Sequence, residues 1–145
     1  MPTAYRLSSR KYPANTGSGA ALRGGRWNPI GIPVIYSADS RALAALEILV
    51  HYSVLPRDFA MTQIKFPAEL VGRIGRLPVG WQSDLELTQQ IGLVWHQERR
   101  FVVLCVPSAI EHKEANYIVN PAHPDFHRLQ FSKPELYLFD PRLRG

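Results

Sequence analysis

GGRWNPIGIPVIYSADSRALAALEILVH, residues 24–51, decides how the rest of the chain is read. Ile32-Pro33-Val34-Ile35-Tyr36 reads as a strand, with Ile32, Val34 and Tyr36 on one face. Asp39 or Ser40 is placed to cap a helix running to about His51. That helix is apolar almost all round. At 100° per residue Glu47 falls close to Leu43 and Val50, with Leu46 on the flank, and Ala44, Ala45, Ile48 and Leu49 leave no broad polar face. The helix is expected to be buried on most sides, and Glu47 with it. A carboxylate in such a place is costly unless a charge or a hydrogen-bond donor meets it. Arg26 and Tyr36 stand just upstream and outline a site. The competing reading makes Glu47 a structural partner of Arg26, or a residue at the wet edge of the helix. Against it, Glu47 is the only charge between Arg41 and His51, and the Gly24-Gly25-Arg26 turn lets backbone approach a ligand closely.

Outward from this stretch the chain is mostly strand. Tyr5-Arg6-Leu7 reads as a short first strand, and residues 8–25, rich in Ser, Gly, Pro and Asn, as a loop. Phe59 to Phe66 alternates as a strand, stopped by Pro67. The segment to Gly80 reads as a strand and turn. Ser83 with Glu86 forms a capping-box pattern heading a helix from Asp84 to about Glu98, with Leu87, Ile91, Val94 and Trp95 as its apolar stripe. Phe101 to Val106 is apolar on both faces and is expected to be a central strand. Asn116 to Phe126 carries Asn-Pro and His-Pro turns, and Leu136 to Leu143 reads as a last strand broken at Asp140-Pro141. The expected architecture is α+β, one compact domain over residues 1–145 with a central, mostly antiparallel sheet.

Length suits one domain with a sizeable core, since 46% of the 145 residues are hydrophobic. The single cysteine, Cys105, excludes an intramolecular disulfide and reads as a small core residue. With no secretory signal, a cytoplasmic location is expected. No apolar run approaches a membrane span. Seventeen basic against 12 acidic residues give a net charge of +5, which suits an anionic partner. The cations are scattered, with small pairs at Arg10-Lys11 and Arg99-Arg100, so direct nucleic-acid binding is not expected.

No metal site is expected: His123 and His127 have helical spacing, but Pro124 lies between them. No P-loop, GxGxxG or G-x-S-x-G elbow is present, and Ser108, at a strand end, reads as a cap or turn residue before it reads as a nucleophile. What remains is Arg, Tyr, Glu and Ser at the ends of elements around one sheet. Arginine forks bind diphosphate, an aromatic ring stacks on a planar base, and a carboxylate holds a ribose hydroxyl or stabilises oxocarbenium charge. The residues by themselves reach an anionic ligand with a planar base.

The chain resembles the RES-domain toxins, the toxin halves of bacterial toxin–antitoxin pairs. The likeness runs through YRL at Tyr5, GGRWN at Gly24, PVIYSA at Pro33, LAALEILVH at Leu43, VPSAI at Val106, NYIVNPAHPDF at Asn116 and FDPRL at Phe139. It implies a fold similar to ADP-ribosyltransferases, an activity that destroys NAD by cleaving the nicotinamide–ribose bond, and inhibition by an Xre-type helix-turn-helix antitoxin. NAD is then a consumed substrate and no cofactor is expected. By motif position the resemblance assigns Arg6 and Arg26 to the diphosphate or to orienting Glu47. It places Tyr36 on the nicotinamide or its ribose, Glu47 at the ribosyl cation, and Ser108 at the ribose or the carboxylate. Two rival classes stay open, an ADP-ribosyltransferase acting on a macromolecule and a basic RNA-binding or RNA-cleaving module. Water or phosphate as ribosyl acceptor, and self-association into a homodimer, are open as well.

Overall fold

The computed structural model describes residues 1–144. Eight strands form one sheet: β1 Thr3–Ser9, β2 Ile35–Ala38, β3 Phe59–Lys65, β4 Val71–Arg73, β5 Val103–Pro107, β6 Ala115–Val119, β7 Gln130–Phe131 and β8 Glu135–Tyr137. Three α-helices accompany them, α1 Ser18–Arg23, α2 Arg41–Leu49 and α3 Leu85–Glu98. The strand order is β4-β5-β6-β2-β1-β3-β7, with β8 also on β3. Among the described residues only β4 and β5 pair in parallel, so the sheet is mostly antiparallel, as expected.

Alternation along β2 sets the layers. Tyr36 packs with Trp27, Trp81, Trp95 and Ile118 under α3, and Ala38, two residues on, packs with Leu7, Met61 and the α2 residues Leu43 and Ala44. Residues two apart share a face, so α2 and α3 lie side by side on one side of the sheet. Ile35 points the other way, into a second layer with Ala4, Ile64, Val103 and Val119, closed by Phe66, Leu70 and Leu129. Helix α2 starts where Ser40 accepts from the Leu43 amide at 3.1 Å. Such a cap stabilises by about 1 kcal/mol.

Several expectations are corrected. The strand read at residues 32–36 begins only at Ile35, because Pro33 has no N–H and the Ile32 carbonyl is taken by the Asn28 side chain at 2.9 Å. Its apolar face nevertheless holds: Ile32, Val34 and Tyr36 all join the α3 layer. Phe101 to Val106 supplies β5, but β5 is second from the edge and β2 is the middle strand. Asp84, not Ser83, caps α3, accepting from the Leu87 amide, while Ser83 ends a short 3₁₀ turn. Val94 is exposed, and Thr88 and Gly92 take the buried face beside Trp95. The region read as a loop includes α1, the region read as turns includes β6, and the last strand shrinks to β8 because Asp140-Pro141 opens a 3₁₀ turn.

Candidate functional site

Glu47 lies on the last full turn of α2, facing the hairpin of β5 and β6. The helix is less enclosed than its sequence implies: Arg41, Ala42, Leu46 and Val50 are exposed, and Glu47 is half-buried. Its carboxylate is held by two neutral donors. Ser108 Oγ, just past the end of β5, donates to Glu47 Oε2 at 2.8 Å, and Asn116 Nδ2, on β6, donates to the same oxygen at 2.6 Å. Ser108 is itself fully buried, and its Oγ accepts from the Ile110 and Glu111 amides at 3.1 and 3.0 Å. The hydroxyl is therefore locked in the tight turn that ends β5.

The Gly24–Asn28 turn is built with equal care. Tyr36 reaches up from β2, its hydroxyl donating to Asn28 Oδ1 at 2.6 Å and accepting from the Trp27 amide at 2.9 Å. Asn28, fully buried, spends its amide group on the carbonyls of Ala20, Pro29 and Ile32. Gly25 has to be glycine: a Cβ there would sit 2.7 Å from the Tyr36 hydroxyl. Burial pushes the Tyr36 hydroxyl well above the ordinary tyrosine range, opposed by the Trp27 amide and the nearby Arg26 charge. Helix α3 and the 3₁₀ turn before it anchor the turn from the far side, with Gln89 Nε2 of α3 on the Gly25 carbonyl at 2.9 Å and Trp81 of the 3₁₀ turn tilted against Trp27 at 5.8 Å between centroids.

The two arginines behave differently from each other, and neither bonds or pairs with Glu47 among the described residues. Arg26 Nη1 donates to the Gln82 carbonyl at 2.9 Å, so the competing reading, in which Arg26 is the ion-pair partner of Glu47, is not what the fold builds. Arg6 lies opposite Thr62 on β3, pointing away from the face on which Tyr5 and Leu7 meet α2. Its Nη1 reaches the Tyr36 carbonyl at 3.0 Å, while its Nε is closed off without a partner. Burial lowers the Arg6 guanidinium to about 10. A cation so placed, with no carboxylate beside it, favours an anion. Thr62 Oγ1, buried on the neighbouring strand, is likewise unpartnered.

The structure thus brings together Glu47 and Ser108, and Arg26 and Tyr36 through the glycine turn, and sets Arg6 at the junction of β1 and β2. Nothing in the sequence singles out Asn116, Asn28 or Gln82 as partners of these groups. Asn116 stood in view at the head of NYIVNP, but as part of a turn-rich stretch. No local pattern ties it to a glutamate 69 residues away. His123 Nδ1 accepts from the Asp125 amide at 2.9 Å, and His127 Nδ1 meets the Pro124 carbonyl at 2.9 Å. Among the described residues no helix is long and apolar enough to cross a membrane.

The family model described as the RES domain matches residues 3–140. A protein of Sphingobium sp. strain YBL2 named Prs ADP-ribosylating toxin is 39% identical over 146 residues, spanning 93% of this chain and 91% of its own. A protein of Photorhabdus laumondii named Toxin Res is 42% identical over 132 residues, spanning 86% and 85%. In three dimensions a chain of the M. tuberculosis MbcT–MbcA toxin–antitoxin complex matches with a TM-score of 0.74 at 20% identity, covering 97% of this chain and 85% of that one. With a family match over nearly its whole length and relatives well above 30% identity, this chain belongs to the RES domain family.

Proposed function

We propose that this chain is the toxin of a toxin–antitoxin pair and that it breaks the nicotinamide–ribose bond of NAD. The observation that carries the reading is the Glu47 carboxylate, fixed by Ser108 and Asn116 with no cation paired to it among the described residues. A carboxylate in a structural ion pair has its charge already answered. This one is oriented by neutral dipoles and keeps its charge for something that develops positive character. In the proposed reaction the C1′–N1 bond breaks and its electron pair returns to the nicotinamide ring, which leaves neutral. Positive charge grows on C1′ and the ring oxygen of the ribose, where Glu47 stabilises it. Water then adds through its oxygen to C1′ and loses a proton to solvent. Arg6 and Arg26 bind the diphosphate, and the Tyr36 ring, its hydroxyl already engaged, offers a packing face to the nicotinamide riboside. Names of relatives support the toxin reading, and the toxin–antitoxin complex found among solved structures supports an inhibitory partner. That partner is proposed to be of the Xre type and the setting the cytoplasm.

Transfer of ADP-ribose to a macromolecule uses the same first step and differs only in the acceptor; the name of the Sphingobium relative favours it. Incubation of the purified protein with NAD, followed by mass analysis, tests both. Free nicotinamide with free ADP-ribose supports hydrolysis, and an ADP-ribose phosphate ester supports phosphate as acceptor. Nicotinamide released only when a protein acceptor gains ADP-ribose supports transfer. NAD left intact in all three settings overturns the reading.

A further inference from the structure

We infer that Asn116 is a positioning residue that, with Ser108, gives the two oxygens of Glu47 different tasks. The inference rests on the reading of Glu47 as the charge that faces the ribosyl cation. A hydroxyl has one proton and two lone pairs. Both lone pairs of Ser108 Oγ are occupied by the amides of Ile110 and Glu111, so its proton has one destination, Glu47 Oε2. Ser108 thus has no free lone pair with which to attack a substrate, and its role lies in holding Glu47. Asn116 Nδ2 donates to the same Oε2 at 2.6 Å. An amide nitrogen cannot accept, so Oε2 meets two donors and has no room for a proton. Oε1 receives no donor among the described residues, and it is the oxygen left to face the substrate. The two donors come from opposite arms of one hairpin, Ser108 after β5 and Asn116 on β6, where Val106 pairs with Asn116. Asn116 also keeps its Oδ1 buried and without a partner. That arrangement is costly in a purely structural residue and is consistent with a side chain held for its donor end.

The test uses Asn116→Ala, Asn116→Asp and Glu47→Gln on the whole chain. With Oε2 released on one side, Asn116→Ala should lower kcat roughly tenfold to a hundredfold with KM little changed, since the loss falls on a charge developed in the transition state. Asn116→Asp sets a second carboxylate against the first, so the pH–rate profile should gain a new limb absent from the parent. A readout independent of turnover is the Asn116 side-chain amide in nitrogen–proton spectra. One of its protons should resonate far downfield in the parent and return to the ordinary range in Glu47→Gln. If the parent cleaves NAD while Asn116→Ala matches it in kcat, and the amide resonance is ordinary, the inference is overturned. If the parent leaves NAD untouched but the downfield amide is present and moves with Glu47→Gln, the NAD reading fails and the assignment of oxygens stands.

Discussion

Gly92 offers the sharpest test of how the site is held. It sits in the middle of α3, where alanine is normally the better helix former by about 1 kcal/mol. Here a Cβ would lie 1.6 Å from the Trp27 carbonyl oxygen and 2.6 Å from its carbonyl carbon. Ordinary contact begins near 3.4 Å, so the helix or the turn must retreat by roughly 1.5–2 Å. Neither has slack. Trp27 is packed against Trp81 and fastened to the Tyr36 hydroxyl, and Gln89, on the same helix, holds the Gly25 carbonyl. Overpacking typically costs about 1–3 kcal/mol, and a clash this deep against backbone puts it at roughly 3–5 kcal/mol. Gly92→Ala is therefore expected to lose about 2–4 kcal/mol net of its gain in propensity. That is a fall in melting temperature on the order of 10 °C for a chain of this size. Because the Arg26 turn shifts with Trp27, activity per folded molecule should fall as well. Gly75→Ala is the control: nothing lies within 4 Å of its Cβ, and its stability should stay within about 1 kcal/mol of the parent. Urea titrations of both variants, with activity normalised to folded protein, supply the measurement. A Gly92→Ala protein as stable as the parent would refute the claim that the α3–Trp27 contact fixes the turn.

Three further outcomes are expected. Glu47→Gln should fold normally and lose roughly a hundredfold to a thousandfold in the rate of NAD cleavage, read by nicotinamide release and circular dichroism; near-normal turnover would falsify the role of the charge. Tyr36→Phe leaves Asn28 Oδ1 and the Trp27 amide without their partner and should cost about 1–3 kcal/mol. Tyr36 is held protonated in the fold, so its contribution is complete below an unfolded tyrosine's value of about 10 and is lost as pH rises past it. The parent should lose stability along that alkaline limb, and the variant should lose less; parallel curves would remove Tyr36 from the account. Burial lowers the Arg6 guanidinium to about 10, so the protonated form carries a cost at pH 7 that eases only as pH rises through 10 toward 12.5. Arg6→Met should hold or raise the melting temperature at pH 7 while weakening binding of an anionic substrate by calorimetry. A drop of several degrees with unchanged binding would make the bond to the Tyr36 carbonyl its whole purpose.

The layered plan was legible because its signals are local. Alternation at Ile32, Val34 and Tyr36 marked the face that meets α3, and Ser40 marked the start of α2. The differences that bear on the layers and the site depend on partners distant in sequence, whereas the shift of the α3 cap to Asp84 and the shortening at Asp140-Pro141 are local. Burial of α2 was overestimated because a run of Ala and Leu reports hydrophobicity, whereas Leu46 and Val50 are exposed for want of a neighbouring element. The position of β5 depended on which strand lay beyond it, and three residues of β4 carry little periodicity. For the site, Glu47 stood out as a charge in an apolar helix, but its donors did not, since Ser and Asn are the ordinary vocabulary of turns. Arg26 looked like its natural partner by charge. The fold instead spends Arg26 on a backbone carbonyl, and the neutral pair holds the acid.

The junction between β1 and β2 has a mechanical consequence. Those strands pair at one position, Tyr5 with Ala38, while β1 and β3 run together over seven. The sheet is thus two leaves joined by a narrow seam, with the Arg6 bond to the Tyr36 carbonyl as a stitch across it. Helix α2 leans mainly on the β1–β3 leaf through Leu7, Phe59 and Met61, whereas Ser108 and Asn116 belong to the β5–β6 leaf. Helix α2 also rests on Ala38 of β2, so the acid rides over the seam while both of its donors come from the β5–β6 leaf. Parting the leaves by a few ångströms would take both donors away from the carboxylate while leaving every residue of the site in place.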